Sequence, residues 1–266
     1  MNKRMFLIGL VSLLTLLLSA CGSGSSWEEE EVVEVSNRII SDDVKVKWEL
    51  EGDQASSLIR LRITNNGSSI NDFEVNHEKL LHLIVVSEDL SYFTHIHPEY
   101  KGNGVFEIEN EFPAGGKYRM IADFKPTNGN SMSKMEWVTV EGKGKQLEAI
   151  TIDNSLEKVV PEGKVALLIE PQLESKKELT LKFTLTDVNT NQPLSDLEPY
   201  LGSIGHVVVL SEDGERYLHV HAIEGQGSGP VALFETEFTE SGGYKIWAQF
   251  QRNGQVFTVP YIVNVP

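Results

Sequence analysis

The chain has 266 residues and a formal net charge of −16 at pH 7, with 39 acidic residues against 23 lysines and arginines. A surface of this charge repels nucleic acid and anionic lipid headgroups, so we expect no nucleic-acid partner. Cys21 is the single cysteine, so disulfides are excluded, and its modification would leave no thiolate for a metal site or a nucleophile.

The N-terminal segment, residues 1–21, has the parts of a secretory signal peptide. Lys3 and Arg4 precede an apolar run of about 14 residues, too short to cross a hydrocarbon core roughly 30 Å thick. The segment ends in Leu-Ser-Ala-Cys at residues 18–21, which resembles the bacterial lipobox. That resemblance implies cleavage before Cys21, acylation of the cysteine and attachment to the extracytoplasmic face of the cell membrane, since several acyl chains anchor a protein firmly.

The rest of the chain divides into a tether and two copies of one unit. Residues 22–41 are rich in glycine, serine and glutamate, and we interpret them as a flexible acidic tether. Beyond them, one aspartate and three histidines recur at identical spacing, as Asp72, His82, His95, His97 and as Asp196, His206, His219, His221. This recurrence defines repeat 1 (residues 42–142), a connector (residues 143–159) and repeat 2 (residues 160–266).

Both repeats have the pattern of short β-strands. Apolar Val44, Val46 and Trp48 alternate with polar residues, and such runs end at turn sequences like the Asn-Asn-Gly of residues 65–67. Roughly seven short strands in about 100 residues are typical of an immunoglobulin-like antiparallel sandwich. We therefore predict an all-β protein with two tandem immunoglobulin-like sandwiches; one fused double sandwich is the alternative.

All seven histidines lie in two equivalent windows, four in repeat 1 and three in repeat 2. In repeat 2, a type I′ turn at Asp213-Gly214 would close a hairpin. That register pairs His206 with His221, and His219 lies two residues along on the same face. Opposed β-carbons in a hairpin are roughly 5 Å apart, so the three imidazoles should converge.

The same register in repeat 1, centred on Asp89-Leu90, sets His82 opposite His97 with His95 alongside. Imidazole is a good ligand for zinc and copper, and three imidazoles leave an open coordination position. We therefore predict a copper or zinc site in each repeat, formed by His82, His95 and His97 in repeat 1, with His77 as a candidate fourth ligand, and by His206, His219 and His221 in repeat 2. The alternative is that the histidines are structural or pH-responsive.

Both faces of each hairpin are apolar, so the pattern leaves open which face is core. We favour the face that carries Leu83 and Val85 in repeat 1, and Val207 and Val209 in repeat 2, as the inner one. Away from the turn, that face has no polar member in repeat 2. The histidines would then lie at the sandwich rim, beside an apolar surface that another domain or a partner could cover.

Four carboxylates and three methionines are weaker candidates. The carboxylates recur at a fixed distance from the first histidine and could orient an imidazole by hydrogen bonding, although ordinary loop carboxylates give the same pattern: Asp72, Glu74, Asp196 and Glu198. Met132 and Met135 are candidate soft ligands for Cu(I), whereas Met120 aligns with Ile246, which favours core packing. No phosphate-binding loop and no Ser-His-Asp order is present, so we predict no enzymatic activity.

The histidine windows also carry a resemblance to known proteins. Residues 82–98, HLIVVSEDLSYFTHIHP, resemble the signature of a widespread group of bacterial secreted lipoproteins, and residues 196–221 resemble its second version. In build these are similar to the YtkA-like and copper-resistance β-sandwich proteins of the bacterial envelope. The resemblance implies an immunoglobulin-like fold and an association with metal handling, copper above all, and it supplies no established activity.

Together these features predict a membrane-anchored, extracytoplasmic metal-binding lipoprotein that sequesters, delivers or senses copper or zinc. Its expected partners are the membrane, through the N-terminal lipid, and an envelope metal transporter or chaperone. Two alternatives come from other classes. One is an envelope interaction module without metal, and the other is a zinc hydrolase or lyase with an open three-histidine site, for which the sequence offers no recognisable general base.

Overall fold

A computed structural model describes residues 38–266 of the chain. The predicted signal peptide, Cys21 and most of the predicted tether lie outside these residues. The end of the tether already contacts repeat 1, because the backbone N–H of Ile39 donates to the carbonyl of Asn128. Within the described residues, no helix is long and apolar enough to span a membrane.

Repeat 1 folds as two antiparallel sheets that pack face to face. Its strands are β1 (Val44–Asp53), β2 (Ser56–Asn65), β3 (Ser68–Ser69), β4 (Phe73–Glu74), β5 (Leu81–Ser87), β6 (Phe93–Ile96), β7 (Glu99–Gly102), β8 (Val105–Asn110), β9 (Gly116–Pro126) and β10 (Met132–Val140). One sheet has the order β1-β2-β8-β7, with β3 beside β2. The other has the order β10-β9-β5-β6, with β4 beside β9.

Repeat 2 has the same two-sheet construction with one additional edge strand. Its strands are β11 (Glu157–Val160), β12 (Gly163–Glu170), β13 (Glu178–Thr186), β14 (His206–Ser211), β15 (Tyr217–Leu218), β16 (Val220–Ala222), β17 (Val231–Glu237), β18 (Gly242–Arg252) and β19 (Gln255–Val265). The sheets have the orders β11-β12-β13-β17-β16 and β15-β14-β18-β19. Strand β11 is the addition, and a short 3-10 turn at Ser41–Asp43 precedes β1.

The strand order is that of an immunoglobulin-like sandwich. In repeat 1, β1-β2-β8-β7 corresponds to the ABED sheet, and β10-β9-β5 to the GFC sheet with β6 added as a C′ strand. Tyr118 and Tyr244 each donate a hydroxyl hydrogen bond to the carbonyl four residues earlier, at 2.8 Å and 3.0 Å. This tyrosine corner is typical of the fold. The prediction of two tandem immunoglobulin-like sandwiches is confirmed.

Strand β2 illustrates how the sequence assigns faces. Ile59, Leu61 and Ile63 are at most 1 % exposed in the core of repeat 1, and burial of each such side chain contributes about 1.5–3 kcal/mol. Arg60, on the opposite face, instead pairs with Glu107 at 2.6 Å. The period-two alternation in the sequence therefore predicts the inner face correctly.

The two sandwiches dock through the sheets that carry the histidine hairpins. A third apolar cluster, separate from the two sandwich cores, forms this contact, which we call the seam; its buried members are Ile84, Val86, Leu90 and Ile121 from repeat 1 and Val208, Leu210 and Trp247 from repeat 2. Phe93 stacks on Trp247 with ring centroids 4.8 Å apart, and Arg119 pairs with Glu215 at 2.8 Å. Each repeat thus covers the apolar hairpin surface of the other.

The assignment of the hairpin faces is confirmed. Leu83 and Val85 belong to the core of repeat 1, and Val207 and Val209 to the core of repeat 2. The alternate residues of the same strands face the seam. Strand β5 is buried along its whole length for this reason, which explains why both of its faces are apolar in the sequence.

The predicted register of the repeat 1 hairpin is confirmed as well. Strand β5 pairs with β6 so that Leu83 lies opposite Ile96 and Ile84 opposite His95. One step beyond the ladder, His82 therefore faces His97. The register places three imidazoles at the open end of this hairpin.

The hairpin of repeat 2 keeps its predicted register but not its predicted length. Val209 pairs with Leu218 as expected, yet the ladder has only two pairs. The next strand, β16, crosses to the other sheet, where Val220 pairs with Thr236 of β17. The expected type I′ turn is also wrong, because Gly214 has a positive φ of 73° whereas Asp213 does not have a positive φ. The loop between Leu210 and Tyr217 still has the same number of residues on either side of Asp213-Gly214, so the register is preserved.

Candidate metal centre

Three histidines of repeat 1 come together at the end of its hairpin. His82 lies on β5, His95 on β6, and His97 directly after β6. Each offers one ring nitrogen, and these three nitrogens all lie within 4.8 Å of one another. We call these residues the triad. It is a group that could hold a metal ion.

The outer nitrogens of the triad are held by oxygen acceptors. His82 Nε2 donates to the backbone carbonyl of Asn76 at 2.9 Å, and His95 Nδ1 donates to Oε1 of Gln249 at 2.9 Å. Their inner nitrogens, His82 Nδ1 and His95 Nε2, then face each other 3.0 Å apart. Metal-binding histidines usually have such an acceptor on the outer nitrogen, because it fixes the tautomer and the ring orientation.

Burial keeps the triad uncharged. It lowers the pKa of His82 and holds the pKa of His95 well below the ordinary value. Burial, helped by the nearby His82 and Lys79, lowers the pKa of His97 to about 4. All three rings are therefore neutral at pH 7, which is the form that binds a metal ion.

His206 of repeat 2 packs against the triad across the seam. Its ring centroid lies 4.7 Å from that of His95 and 5.9 Å from that of His82, with the second pair stacked. Burial lowers the pKa of His206 to about 3, with the nearby His82 and His77 adding to the effect. His206 is thus closer to the histidines of repeat 1 than the sequence predicts.

His77 lies on a tight turn next to the same cluster. Its ring centroid is 5.9 Å from that of His206, and burial lowers its pKa. The turn has positive φ values at His77 (45°) and Glu78 (66°), which cost roughly 1–2 kcal/mol per residue that has a Cβ. Such strain is concentrated at functional sites, and here the turn carries the Asn76 carbonyl to which His82 donates.

His219 and His221, which we call the outer pair, lie apart from His206. Both are exposed, and their ring centroids are 4.7 Å apart. His219 Nδ1 lies 4.0 Å from Oδ2 of Asp123 in repeat 1. Because β16 leaves the hairpin sheet, the structure does not bring His206, His219 and His221 together, and among residues 38–266 the triad is the one such three-residue group.

Three of the four recurring carboxylates have other partners than the histidines, and the fourth is exposed. Glu74 pairs with Lys125 at 2.6 Å, and Asp196 pairs with Arg252 at 2.8 Å. Glu198 accepts hydrogen bonds from the side chain of Gln251 and from the backbone of residue 254, and Asp72 is exposed. Glu74, Asp196 and Glu198 thus stabilise loops and strand ends of the sandwiches.

The three methionines lie in apolar clusters. Met120 and Met132 are buried in the core of repeat 1, and Met135 packs against the seam.

The side chains that do contact the histidines, Gln249 and Asp123, were missed by the sequence analysis. Strand pairing is the feature that points to these two residues. Asp123 on β9 lies opposite His82, and Gln249 on β18 lies opposite His206. Docking of the repeats then directs each toward the other repeat.

Fold and site together define a tandem immunoglobulin-like protein whose seam contains a histidine triad that could hold a metal ion. The sequence profile of a domain of unknown function, DUF8832, matches residues 39–142 and again residues 158–266. These matches cover most of the chain, which therefore belongs to the DUF8832 family. No curated protein matches the sequence.

Several solved structures are similar in outline. A two-domain fibronectin type III segment of chicken tenascin is 12 % identical, with 84 % of this chain and 99 % of that chain covered, at a TM-score of 0.25. Invasin, a bacterial integrin-binding protein, is 11 % identical, with 82 % of this chain and 39 % of the invasin chain covered, at a TM-score of 0.24. Domains 4 and 5 of the S-layer protein SbsC are 13 % identical, with 83 % of this chain and 96 % of that chain covered, at a TM-score of 0.22. At such TM-scores these likenesses carry no argument, and the fold assignment rests on the strand order.

Proposed function

We propose that the protein binds a divalent copper or zinc ion through the triad of His82, His95 and His97. The observation that carries the proposal is the pattern of hydrogen bonds around the three rings. Both outer nitrogens of His82 and His95 donate to oxygen acceptors, so in the neutral rings both inner nitrogens carry lone pairs. Two lone pairs 3.0 Å apart repel each other unless a cation lies between them.

A single proton would satisfy only part of this arrangement. It could bridge His82 and His95, but Nε2 of His97 is also buried and has no hydrogen-bond partner. A buried ring nitrogen without a hydrogen-bond partner costs about 1–3 kcal/mol. A metal ion accepts all three lone pairs at once, which is why we favour metal binding over a purely structural role for the histidines.

The ligand set favours a divalent ion. The triad offers only imidazole nitrogens, and the methionines that would suit Cu(I) lie in apolar clusters. Two nitrogens on one zinc ion lie at most about 4.2 Å apart, so small ring rotations would close the triad around an ion. His206, whose ring is 4.7 Å from that of His95, is the nearest candidate for the fourth position.

The setting of this site is proposed from the sequence. The signal peptide and Cys21 would anchor the protein by its lipid to the extracytoplasmic face of the cell membrane, where it would sequester, deliver or sense the ion, with an envelope transporter or chaperone as partner. Cys21→Ala should release the protein from the membrane or leave unprocessed precursor. Unchanged processing and attachment of this variant would refute the anchor.

Metal analysis of the untagged full-length protein tests the binding site. The purified protein, exposed to micromolar Cu(II) or Zn(II) and then desalted, should retain an ion that the His95→Ala/His97→Ala variant loses. The matched control, His219→Ala/His221→Ala, removes the same number of histidines and should keep the triad ion. Absence of any retained metal, or an equal loss in both variants, would contradict the proposal and favour structural histidines.

A further inference from the structure

Residues that meet across the seam occupy equivalent positions in the two repeats. Ile84 lies two residues after the first histidine of the repeat 1 hairpin, and Val208 lies two residues after that of repeat 2. Their partners on the neighbouring strands are Ile121 and Trp247, and all four belong to the seam cluster. An interface between equivalent surfaces is the arrangement of a two-fold symmetric dimer, so repeat 2 covers repeat 1 as a second copy would.

Two equivalent contacts at the histidine end of the seam nevertheless differ. His95 of repeat 1 donates to Oε1 of Gln249 in repeat 2 at 2.9 Å. The equivalent contact joins His219 of repeat 2 to Asp123 of repeat 1, where Nδ1 and Oδ2 lie 4.0 Å apart, too far for a hydrogen bond. Of these two histidines, the one that the opposite repeat orients is therefore the one in the triad.

Repeat 2 packs against the triad without supplying a member of it. All three triad histidines belong to repeat 1. The ring of His206 lies over them, with its centroid 4.7 Å from that of His95 and 5.9 Å from that of His82. The turn that carries the acceptor for His82 touches repeat 2 as well, because the side chain of Glu78 lies against Gly202. Docking of repeat 2 thus restrains the rings that face the ion.

We propose that metal binding by the triad is coupled to docking of the two repeats, with repeat 2 acting as a regulatory cover that raises the affinity of the triad through the hydrogen bond between His95 and Gln249. An acceptor on the outer nitrogen of a metal-binding histidine is worth about 10–100-fold in affinity. Coupling between two equilibria is reciprocal, so a bound ion strengthens docking by the same factor. Because the coupling acts on the triad, it rests on the proposed function.

Coupling of this kind gives the protein a way to release an ion that it holds firmly. When the seam is closed, Gln249 fixes the tautomer and the orientation of the His95 ring. When the seam opens, that acceptor and the cover of His206 leave together, and the triad keeps its three ligands but loses their alignment. A partner that binds the apolar seam surface of either repeat therefore lowers the affinity of the triad and frees the ion.

Hydrogen exchange of the untagged full-length protein, with and without Zn(II), tests the coupling. The sample is His219→Ala/His221→Ala, so that zinc on the exposed outer pair cannot protect repeat 2 directly. Zinc should slow exchange in β5 and β6 and also in β14 and β18, although repeat 2 contributes nothing to the triad. Protection confined to repeat 1 would overturn the coupling and leave the triad proposal standing. A protein that retains no Zn(II) refutes the triad proposal, and the coupling with it.

Zinc affinity of seam variants, measured by chelator competition, tests the reciprocal effect. Trp247→Ala opens the seam without removing a triad histidine and should weaken zinc binding by about 10–100-fold. The matched control is Trp48→Ala, which alters the sheet of repeat 1 that faces away from the seam and should keep the affinity. Unchanged affinity in Trp247→Ala would overturn the coupling.

A second seam variant serves if Trp247→Ala does not fold. Glu215 is an exposed residue of repeat 2 that accepts hydrogen bonds from Arg119 and Trp137 of repeat 1, so Glu215→Ala should also weaken zinc binding. Glu212→Ala, in the same loop, is its control. Equal affinities of Glu215→Ala and Glu212→Ala would then contradict the coupling.

A double-mutant cycle tests the route of the coupling. Opening the seam already separates Gln249 from His95, so adding Gln249→Leu to Trp247→Ala should cause no further loss of zinc affinity. Losses that multiply in the double variant would show two independent effects. That result would overturn the assignment of the coupling to the hydrogen bond between His95 and Gln249.

Discussion

Lowering the pH from about 7.5 to about 5.5 should leave metal binding by the triad nearly unchanged. A proton and a metal ion compete for the same imidazole nitrogen, so affinity falls only below the pKa of the unoccupied ligand. At pH 5.5, a histidine with an ordinary pKa near 6.5 is protonated in about ten molecules of eleven. Three such ligands would together weaken binding by roughly 1000-fold.

Burial moves this competition to more acidic pH. It lowers the pKa of His97 to about 4, lowers that of His82, and holds that of His95 well below its ordinary value. At pH 5.5, His97 is protonated in only about 3 % of molecules. We therefore expect a loss on the order of a few-fold at the triad, instead of roughly 1000-fold.

The sign of the accompanying stability change follows from the same shifts. In the unfolded chain the histidines have pKa values near 6.5 and take up protons that the folded state rejects. The metal-free protein should therefore lose stability as the pH falls below about 6.5, and the loss from His97 should continue to its folded pKa of about 4. Chemical denaturation of the metal-free protein at several pH values measures this trend.

Chelator competition at about pH 7.5, 6.5 and 5.5, with the protonation of the chelator taken into account, measures the affinity. His219→Ala/His221→Ala protein is the sample of choice, because it keeps the triad and lacks the exposed outer pair. A synthetic peptide of residues 81–98 is the matched control, since it carries the same ligands without their burial and should lose roughly 1000-fold. A folded protein that loses affinity as steeply as the peptide would refute the reasoning from burial.

Two further predictions concern the seam and the outer partner of the triad. Trp247 is 3 % exposed and stacks on Phe93, so Trp247→Ala should lower the free energy of unfolding by about 3–5 kcal/mol and split one calorimetric unfolding transition into two. Trp48→Ala, which changes repeat 1 alone, should destabilise the protein without uncoupling the repeats. A single transition in both variants would contradict the prediction. Gln249→Leu removes the hydrogen-bond acceptor for His95 and should weaken metal binding by the triad about 10–100-fold, as measured by chelator competition. Gln251→Leu, two residues further along β18, is the control. An equal effect of Gln251→Leu would show that the change is not specific to the hydrogen bond of His95.

The sequence by itself determines the sandwiches and the geometry within a hairpin. Alternation along β2 assigns Ile59 and Leu61 to the core, because a period of two places them on one face of a strand. The histidine spacing determines that His82 faces His97. The reason is that the loop between β5 and β6 has the same number of residues on either side of its centre, Asp89-Leu90. These are local properties, and neighbouring residues along the chain are enough to specify them.

Only the tertiary structure decides which histidines share a site. His206 packs against the triad of repeat 1. His219 and His221 lie apart from His206, because β16 pairs with β17 instead of continuing beside β14. That exchange depends on competition between two sheets for one short strand, which spacing alone does not reveal.

The docking of the two repeats decides the rest. Gln249 reaches His95, and Asp123 approaches His219, only because the apolar hairpin surfaces of the repeats cover each other. The sequence shows that such surfaces exist, as alternate apolar residues on both faces of β5. Their orientation toward each other depends on the shapes of packed side chains more than a hundred residues apart, such as Phe93 and Trp247, and packing of this kind has no period along the chain.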